Sequence, residues 1–281
     1  MIWRARERLL TFERQAQLMA VLNITPDSFS DGGSFLEPDH AVDQARRLVD
    51  EGAAILDVGG ESTRPGSDPV PLEEELRRVI PVIRRLRREF PEVVLSIDTY
   101  KAETARQAVA AGADIINDIT ALRGDPLMVK VVKETGAGVV IMHMQGTPKT
   151  MQAAPYYQDV VAEVATFLDK RRAFACGQGV EFDRIALDPG FGFGKRDQDN
   201  MRLIQRLDAI AALGSPTVVG ISRKSTLARL SGEPQLPFSE RLWPTIATTC
   251  LLRLGGAQVL RVHEVRPNLE ALRMTEAIAV L

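Results

Sequence analysis

One stretch of the chain gathers residue types that could do chemistry at close quarters: Ala186-Leu187-Asp188-Pro189-Gly190-Phe191-Gly192-Phe193-Gly194-Lys195. A buried run, Ile185 to Leu187, delivers a carboxylate at Asp188, and Pro189 forbids a normal ladder continuation. The glycines at 190, 192 and 194 let a backbone approach a ligand closely and take positive φ. Two phenylalanines add flat apolar faces and Lys195 a cation, which together suit a flat polar molecule. The same stretch reads equally as a βα turn whose aromatics cap the core.

Similar residues end other short apolar runs. Asn23 to Gly33 follows one, and Gly59 to Ser67 another. Asp98, Asn117-Asp118, Met142-His143-Met144, Ser222-Arg223-Lys224-Ser225 and Arg261-Val262-His263 end the rest. Asp98, Asn117, Asp188 and Lys224 offer the donors and acceptors that pair with an amino-pyrimidinone edge. Thr63, Arg64, Ser222, Arg261 and His263 are groups that hold a phosphate or diphosphate. Asn23, with Asp27 and Asp31, supplies hard oxygens suited to Mg²⁺, and no Cys or His cluster points to a transition metal. Singly, Asp98 or Asp118 reads as well as a helix cap, and His143 as a hydrogen-bonded core histidine. The loops 23–33 and 59–71, rich in Gly, Pro and Ser, read as lids that exclude water, or as ordinary surface loops.

The elements that must position these groups alternate regularly. Apolar runs at 18–22, 55–58, 93–97, 115–117, 138–142, 185–187, 217–220 and 259–262 predict strands buried on both faces. Between and after them, helical spacing predicts helices over 39–51, 72–90, 101–111, 126–135, 158–175, 200–213 and 268–280, with a helical region ending at Leu254. Eight strand–helix units in about 250 residues predict a (β/α)₈ barrel, whose chemistry lies on the loops after the strands. A doubly wound open sheet is the alternative, but no dinucleotide fingerprint follows the first strand. Residues 1–17 read as a lead-in strand or hairpin, and 18–281 as one barrel domain. Arg84, Arg85, Arg87 and Arg88 read as a solvated helix face, complementing Glu73, Glu74 and Glu75 at the other end.

A formal net charge of −2 gives no reason to expect nucleic acid or an acidic membrane as partner. No apolar run approaches the ~18 residues of a membrane span, and the first residues lack the apolar core of a signal peptide. The two cysteines, Cys176 and Cys250, share no metal-ligand spacing. A cytoplasmic protein is expected.

At these motifs the chain resembles the dihydropteroate synthase family, the folate-pathway enzymes that sulfonamides target. The resemblance rests on Leu22 to Gly33, Asp57 to Gly66, Ser96 to Tyr100, Ile116 to Ile119, Met142 to Gly146, Asp188 to Lys195, Ser222 to Ser225 and Arg261 to His263, in the family's order. It implies a barrel, a homodimer through the C-terminal helices, and a transferase that forms a C–N bond. That reaction joins 6-hydroxymethyl-7,8-dihydropterin diphosphate to 4-aminobenzoate with Mg²⁺, giving 7,8-dihydropteroate and diphosphate. By position, the pterin falls to Asp98, Asn117, Asp188 and Lys224, with Met142 and Arg261 against the ring. The diphosphate falls to Asn23, Thr63, Arg64, Arg261 and His263, with Mg²⁺ on Asn23. Aminobenzoate falls among Phe29, Pro65, Phe193, Lys224 and Ser225. The implied catalytic set is Asp98, Asp188, Lys224, Arg261 and His263, acting on a dissociating pterin-methyl cation. Two departures stand out: Glu264 where the family pattern has aspartate, expected to matter little, and Leu242-Trp243-Pro244 near the implied dimer face. A pterin-binding methyltransferase, a non-catalytic pterin-binding paralogue and a phosphate-binding barrel remain the alternatives.

Overall fold

The computed structural model describes residues 1–13, 15–24, 38–63 and 66–279. Among them, eight parallel strands form one sheet: β3 (Gln17–Asn23), β4 (Ile55–Gly59), β5 (Val94–Asp98), β6 (Ile115–Asp118), β7 (Gly138–Met142), β8 (Ile185–Asp188), β9 (Val218–Val219) and β10 (Val259–Val262). The spatial order is β8-β7-β6-β5-β4-β3-β10-β9, and a parallel bridge from Leu187 to Thr217 joins the two ends. The sheet is thus the closed barrel that the alternating pattern predicts.

The helices α1 (Pro38–Asp50), α2 (Leu72–Glu89), α3 (Ala102–Ala111), α4 (Met128–Thr135), α5 (Val160–Gly177), α6 (Asp197–Gln205), α7 (Asp208–Ala211), α8 (Ser225–Leu230), α9 (Leu242–Leu254) and α10 (Val265–Ile278) surround it. Their apolar stripes and the outward faces of the strands form the main core. None of the described helices is long and apolar enough to cross a membrane.

A hairpin of β1 (Ile2–Ala5) and β2 (Arg8–Thr11) covers one end of the barrel. Its Trp3, Ala5 and Leu10, with Phe12, pack on Met19, Ile55, Val94, Ile115, Val140, Ala186, Val218 and Val259, one residue from each barrel strand. Trp3 is fully buried, and its indole N–H donates to the Arg184 carbonyl at 2.9 Å. With that end plugged, polar chemistry is confined to the opposite, C-terminal ends of the strands.

Some element boundaries differ from the sequence pattern, for local reasons. The helix expected over 200–213 splits at Arg206, whose φ of −125° leaves the helical region, and its first part begins three residues early at Asp197. There Asp199 accepts from the Arg196 backbone N–H in a capping box. The helix expected from Pro126 begins at Met128, because Asp125 holds the preceding turn and also caps α3 through Ala102 N. The last helix begins at Val265 rather than Asn268. The region ending at Leu254 resolves into α8, a short 3₁₀ turn at Phe238–Glu240, and α9.

The charged run on α2 is more than a solvated face. Arg87 donates to the carbonyls of Gly112, Pro91 and Val93 and pairs with Asp114 at 2.5 Å, tying α2 to the loop before β6. Glu75 is buried and accepts from Lys101 Nζ at 2.7 Å and Thr104 Oγ1 at 3.1 Å.

Candidate active site

At the C-terminal ends of the strands, one arginine organises the carboxylates. Arg261, inside β10, donates from Nε to Asp57 Oδ2 at 2.6 Å and from Nη2 to Asp98 Oδ2 at 2.9 Å. Asn117, on β6, donates from Nδ2 to the same Asp57 oxygen at 3.1 Å. Asp57 is fully buried, and its Oδ1 has no hydrogen-bond partner among the described residues. Asp98 Oδ1 is also buried and unpartnered. Burial pushes the Asp98 carboxyl well above the usual range, against the pull of Arg261 and with Asp57 adding repulsion. A ligand N–H donor would satisfy that oxygen and stabilise the carboxylate. Asp98 is held by Arg261 rather than capping α3, whose first N–H is met by Asp125.

Asp188 ends β8 and turns back on its own loop, its Oδ1 accepting from Gly190 N at 2.7 Å. Burial pushes its carboxyl up, opposed by that bond and by Lys224 and Lys195. The loop beyond it divides its aromatics: Phe191 is fully buried in the core, whereas Phe193 faces a cavity. The core-capping reading of this stretch therefore holds for Phe191, while Phe193 borders the cavity. Gly190, at φ +67°, shows why glycine is required, since a Cβ there would lie 2.0 Å from the His143 carbonyl oxygen. Lys224 Nζ donates to the Phe191 carbonyl and lies 4.5 Å above the Phe193 ring. Burial, reinforced by Arg261, lowers Lys224 to about 8, with Asp188 and Asp98 opposing.

Lys195 does not join the cavity's recognition set as a free cation. It is buried, with Nζ 2.9 Å from His143 Nδ1 and 2.9 Å from the Gly190 carbonyl, and burial lowers it to about 7. His143 is the hydrogen-bonded core histidine, kept neutral by burial and by the nearby Lys195 and Arg123 charges. Asp118 bonds Thr120 and Leu122 within its own loop and caps no helix.

The tips of β9 and β10 meet through Ser222, whose Oγ lies 3.0 Å from His263 Nδ1 and accepts from His263 N at 3.2 Å. Arg223 adopts φ +56°, pairs with Glu264, and stacks its guanidinium 4.9 Å from the Phe238 ring centroid. That left-handed turn aims Lys224 and Ser225 inward.

These groups border a cavity of about 740 Å³. Of the residues expected at a site, Asn23, Thr63, Asp98, Phe193, Lys224, Ser225, Arg261 and His263 line it. Asn117, Met142 and Asp188 are buried at the adjoining strand ends rather than on its wall. Met142 packs there with Met144, Met151 and Phe193. Phe29, Arg64 and Pro65, with Asp27 and Asp31, lie outside the described residues. Among the described residues no group of three or more His, Cys, Asp or Glu could hold a metal.

Sequence reasoning gave Asp57 no role, although a carboxylate inside the apolar run Ile55-Leu56-Asp57-Val58 is itself a signal, because buried acids need partners. It also missed a brace at the root of the second lid. There Glu61 accepts from Tyr100 Oη at 2.7 Å and from Lys101, which also holds Glu75.

The family model described as "Pterin binding enzyme" matches residues 19–263. Dihydropteroate synthase of Escherichia coli strain K12 is 45% identical over 260 residues, 92% of this chain and 90% of that protein. The chain belongs to the dihydropteroate synthase family of pterin-binding enzymes. Among the family's solved structures, Xanthomonas albilineans dihydropteroate synthase with 4-aminobenzoic acid superposes with a TM-score of 0.92 at 44% identity, covering 100% of both chains. The same synthase in complex with 7,8-dihydropteroate superposes at 0.89 with 41% identity, again covering 100% of both chains.

The geometry ranks the two carboxylates that share Arg261. Asp57→Ala strands Arg261 Nε and Asn117 Nδ2 in a dry interior and should cost about 3 kcal/mol of unfolding free energy. Asp98→Ala, at the cavity edge, should cost clearly less. Denaturant unfolding of both variants checks the order, and equal costs would contradict it.

Proposed function

We propose that this cavity condenses 6-hydroxymethyl-7,8-dihydropterin diphosphate with 4-aminobenzoate, giving 7,8-dihydropteroate and diphosphate. The chain is a transferase of the dihydropteroate synthase type, and its relatives' complexes with 4-aminobenzoic acid and with 7,8-dihydropteroate match the two ends of that reaction. The observation that carries the reading is Asp98: a buried carboxylate oxygen without a partner, held by Arg261 at the lip of a cavity that also holds anion-binding groups. The amino-pyrimidinone edge of a pterin brings the N–H donors that this oxygen lacks.

Asp98, Asn117, Asp188 and Lys224 hold the pterin in this reading, with Met142 and Arg261 against its ring. Arg261, His263 and Thr63, with Arg64, face the diphosphate. Phe193, Lys224 and Ser225, with Phe29 and Pro65, receive the aminobenzoate. An arylamine is a weak nucleophile, and the assigned set needs no covalent intermediate on the protein. The methylene C–O bond breaks first, and its electron pair leaves with the diphosphate. The pterin-methyl cation is offset by the Asp98 and Asp188 carboxylates, the arylamine nitrogen then bonds to the methylene, and the amine proton passes to the released diphosphate or to water. Preorganised charge does the work, because Arg261 is already fixed by Asp57 before substrate arrives.

Mg²⁺ fits this arrangement as a companion of the substrate. It keeps several waters and uses one or two protein oxygens plus phosphate oxygens. Asn23, on the cavity wall, supplies a hard neutral oxygen suited to that share. When bound, Mg²⁺ would add positive charge beside the leaving diphosphate.

A homodimer through α9 and α10 completes the reading. Trp243, 74% exposed, joins Leu251 and Leu254 on α9, and Met274 joins Ile278, 75% exposed, on the packed neighbour α10. Two copies of such an apolar face cover each other in an isologous contact.

Purified protein given both substrates and Mg²⁺ should release diphosphate in step with dihydropteroate. Asp98→Ala or a chelator should abolish both. Pterin binding without product would favour the paralogue or methyltransferase reading. The methylene hydrogens should show a normal secondary deuterium effect, and an effect near unity would reject the dissociative order.

The rate should also fall on the alkaline side as Lys224 loses its proton near pH 8. The sign follows from a cation whose proton is held more weakly than usual, so charge is present below that pH and lost above it. Lys224→Arg should move this limb to higher pH, and a limb unmoved in that variant would assign it elsewhere. Sedimentation should give a dimer for the native chain, weakened at least tenfold by Trp243→Glu. A monomer at micromolar concentration would remove the dimer from the reading.

A further inference from the structure

Lys195 is among the largest fully buried side chains of the protein, and nothing in the reaction just described uses it. Its ammonium nitrogen meets four acceptors: His143 Nδ1 at 2.9 Å and the carbonyls of Gly190 at 2.9 Å, Phe193 at 3.2 Å and His143 at 3.5 Å. Two of those carbonyls belong to the turn that Lys195 itself terminates. The turn is therefore wound around its own lysine, as a loop winds around a bound cation.

The turn needs such a centre. Gly190, Gly192 and Gly194 take φ of +67°, +78° and +63°, and each gives the chain freedom that a substituted residue would not. Nothing covalent selects this conformation from the others open to three glycines. The Lys195 ammonium does select it, because its three N–H groups need acceptors in a dry interior and find them in His143 Nδ1 and the inward-turned carbonyls of Gly190 and Phe193. Tyr157 Oη adds an outer tie to the Gly194 carbonyl at 2.7 Å, and Gln152 Nε2 adds one to the Gly192 carbonyl at 2.6 Å.

What the turn presents outward is one face of the cavity. The Phe191 carbonyl receives Lys224 Nζ, and the Phe193 ring lies beneath it. A shift of the turn therefore moves the cation and the aromatic face together. Asp98, Asp57 and Arg261 are fixed on β5, β4 and β10 and do not touch the turn, so at the carboxylate end only Asp188, which accepts from Gly190 N, is coupled to it.

We propose that Lys195, seated on the neutral His143, is a positioning residue for the arylamine half of the site: it holds the 190–194 turn so that Phe193 and Lys224 form a preshaped slot for a flat aromatic carboxylate. The inference rests on the functional reading above for the identity of the two substrates. His143 supplies the acceptor, with its ring wedged edge-on against Phe167 at 4.8 Å between centroids. That packing fixes the direction of Nδ1, and with it the place of the ammonium.

Lys195→Met keeps the length and volume of the side chain and removes its hydrogen bonds. KM for 4-aminobenzoate should rise at least tenfold, while KM for the pterin diphosphate, still held by Asp98, Asn117 and Arg261, should rise no more than threefold. A lysine that merely stabilised the fold would lower the active fraction and leave both KM values unchanged. Should the methionine variant fail to fold, two substitutions of its partner decide the matter. His143→Asn places an amide oxygen where Nδ1 lies and should keep KM for 4-aminobenzoate within threefold of native. His143→Leu removes the acceptor and should raise it at least fivefold.

Equal changes in the two KM values, or no change in either, would overturn the proposal, as would asparagine and leucine behaving alike. Calorimetric titration with 4-aminobenzoate alone separates this inference from the reaction. Binding by the native chain that the leucine variant loses supports the positioning role even if no dihydropteroate forms. Equal binding by the native chain, His143→Asn and His143→Leu refutes it.

Discussion

The site depends on a single buried ion pair. Arg261 lies in a barrel strand with Asp57 fully buried beside it, and the guanidinium reaches past Asp57 to Asp98. Desolvating these charges is costly, and the cost is offset only while each keeps its partner. Three strands are thereby locked in register at their C-terminal ends, and Asn117 adds a fourth through its bond to Asp57. Two carboxylates sharing one cation cannot both be fully compensated. Asp98, the member nearer the cavity, is held by a single guanidinium bond, and its second oxygen has no partner among the described residues, so burial pushes its carboxyl up. How the barrel mouth balances its own charge thus leaves an acceptor at the cavity edge.

The opposite wall solves a different problem with different means. It offers a flat face from a turn in which three glycines alternate with two phenylalanines, and a cation, Lys224, from the segment before α8. The two lysines divide the labour by depth. Lys195 is enclosed by backbone carbonyls, whereas Lys224 stands at the cavity with one carbonyl and one ring for company. Burial makes both weaker bases, and although both border the cavity, the Lys195 nitrogen is turned to the loop carbonyls and His143.

The barrel was legible because its signal is periodic. Short apolar runs separated by helical spacing describe βα units whatever the side chains at their ends do, and all eight predicted strands exist. Boundaries failed where a side chain overrode the period. Asp125 reaches back to cap α3 and so delays α4, and the Asp199 capping box advances α6. In the site, polar residues that follow a strand were readable from position alone, and Asn23, Thr63, Asp98, Ser222, Lys224, Ser225, Arg261 and His263 line the cavity. Asp57 was not, because it sits within an apolar run and its partners lie 60 and 204 residues away. The place of Lys195 was also opaque. It reads as a cation offered to a ligand, and only the fold shows its nitrogen turned to its own loop and to His143.

Glu264 shows how one methylene can be spent differently at the same place. It occupies the N-cap of α10, where a shorter aspartate is well suited to accept a backbone N–H of the first turn. Glu264 makes no such cap and instead reaches Arg223. The lost cap costs about 1 kcal/mol. The gain falls on the neighbours of Arg223. Ser222, on one side, holds the His263 ring, and Lys224, on the other, holds Phe193. Arg223 itself sits in a left-handed conformation that side chains rarely adopt, so it needs an external hold. The ion pair to Glu264, the stack on Phe238 and the bond from Arg241 Nη1 to the Arg223 carbonyl at 3.1 Å supply it. The glutamate expected to matter little therefore holds the turn that carries Lys224 instead of capping a helix end.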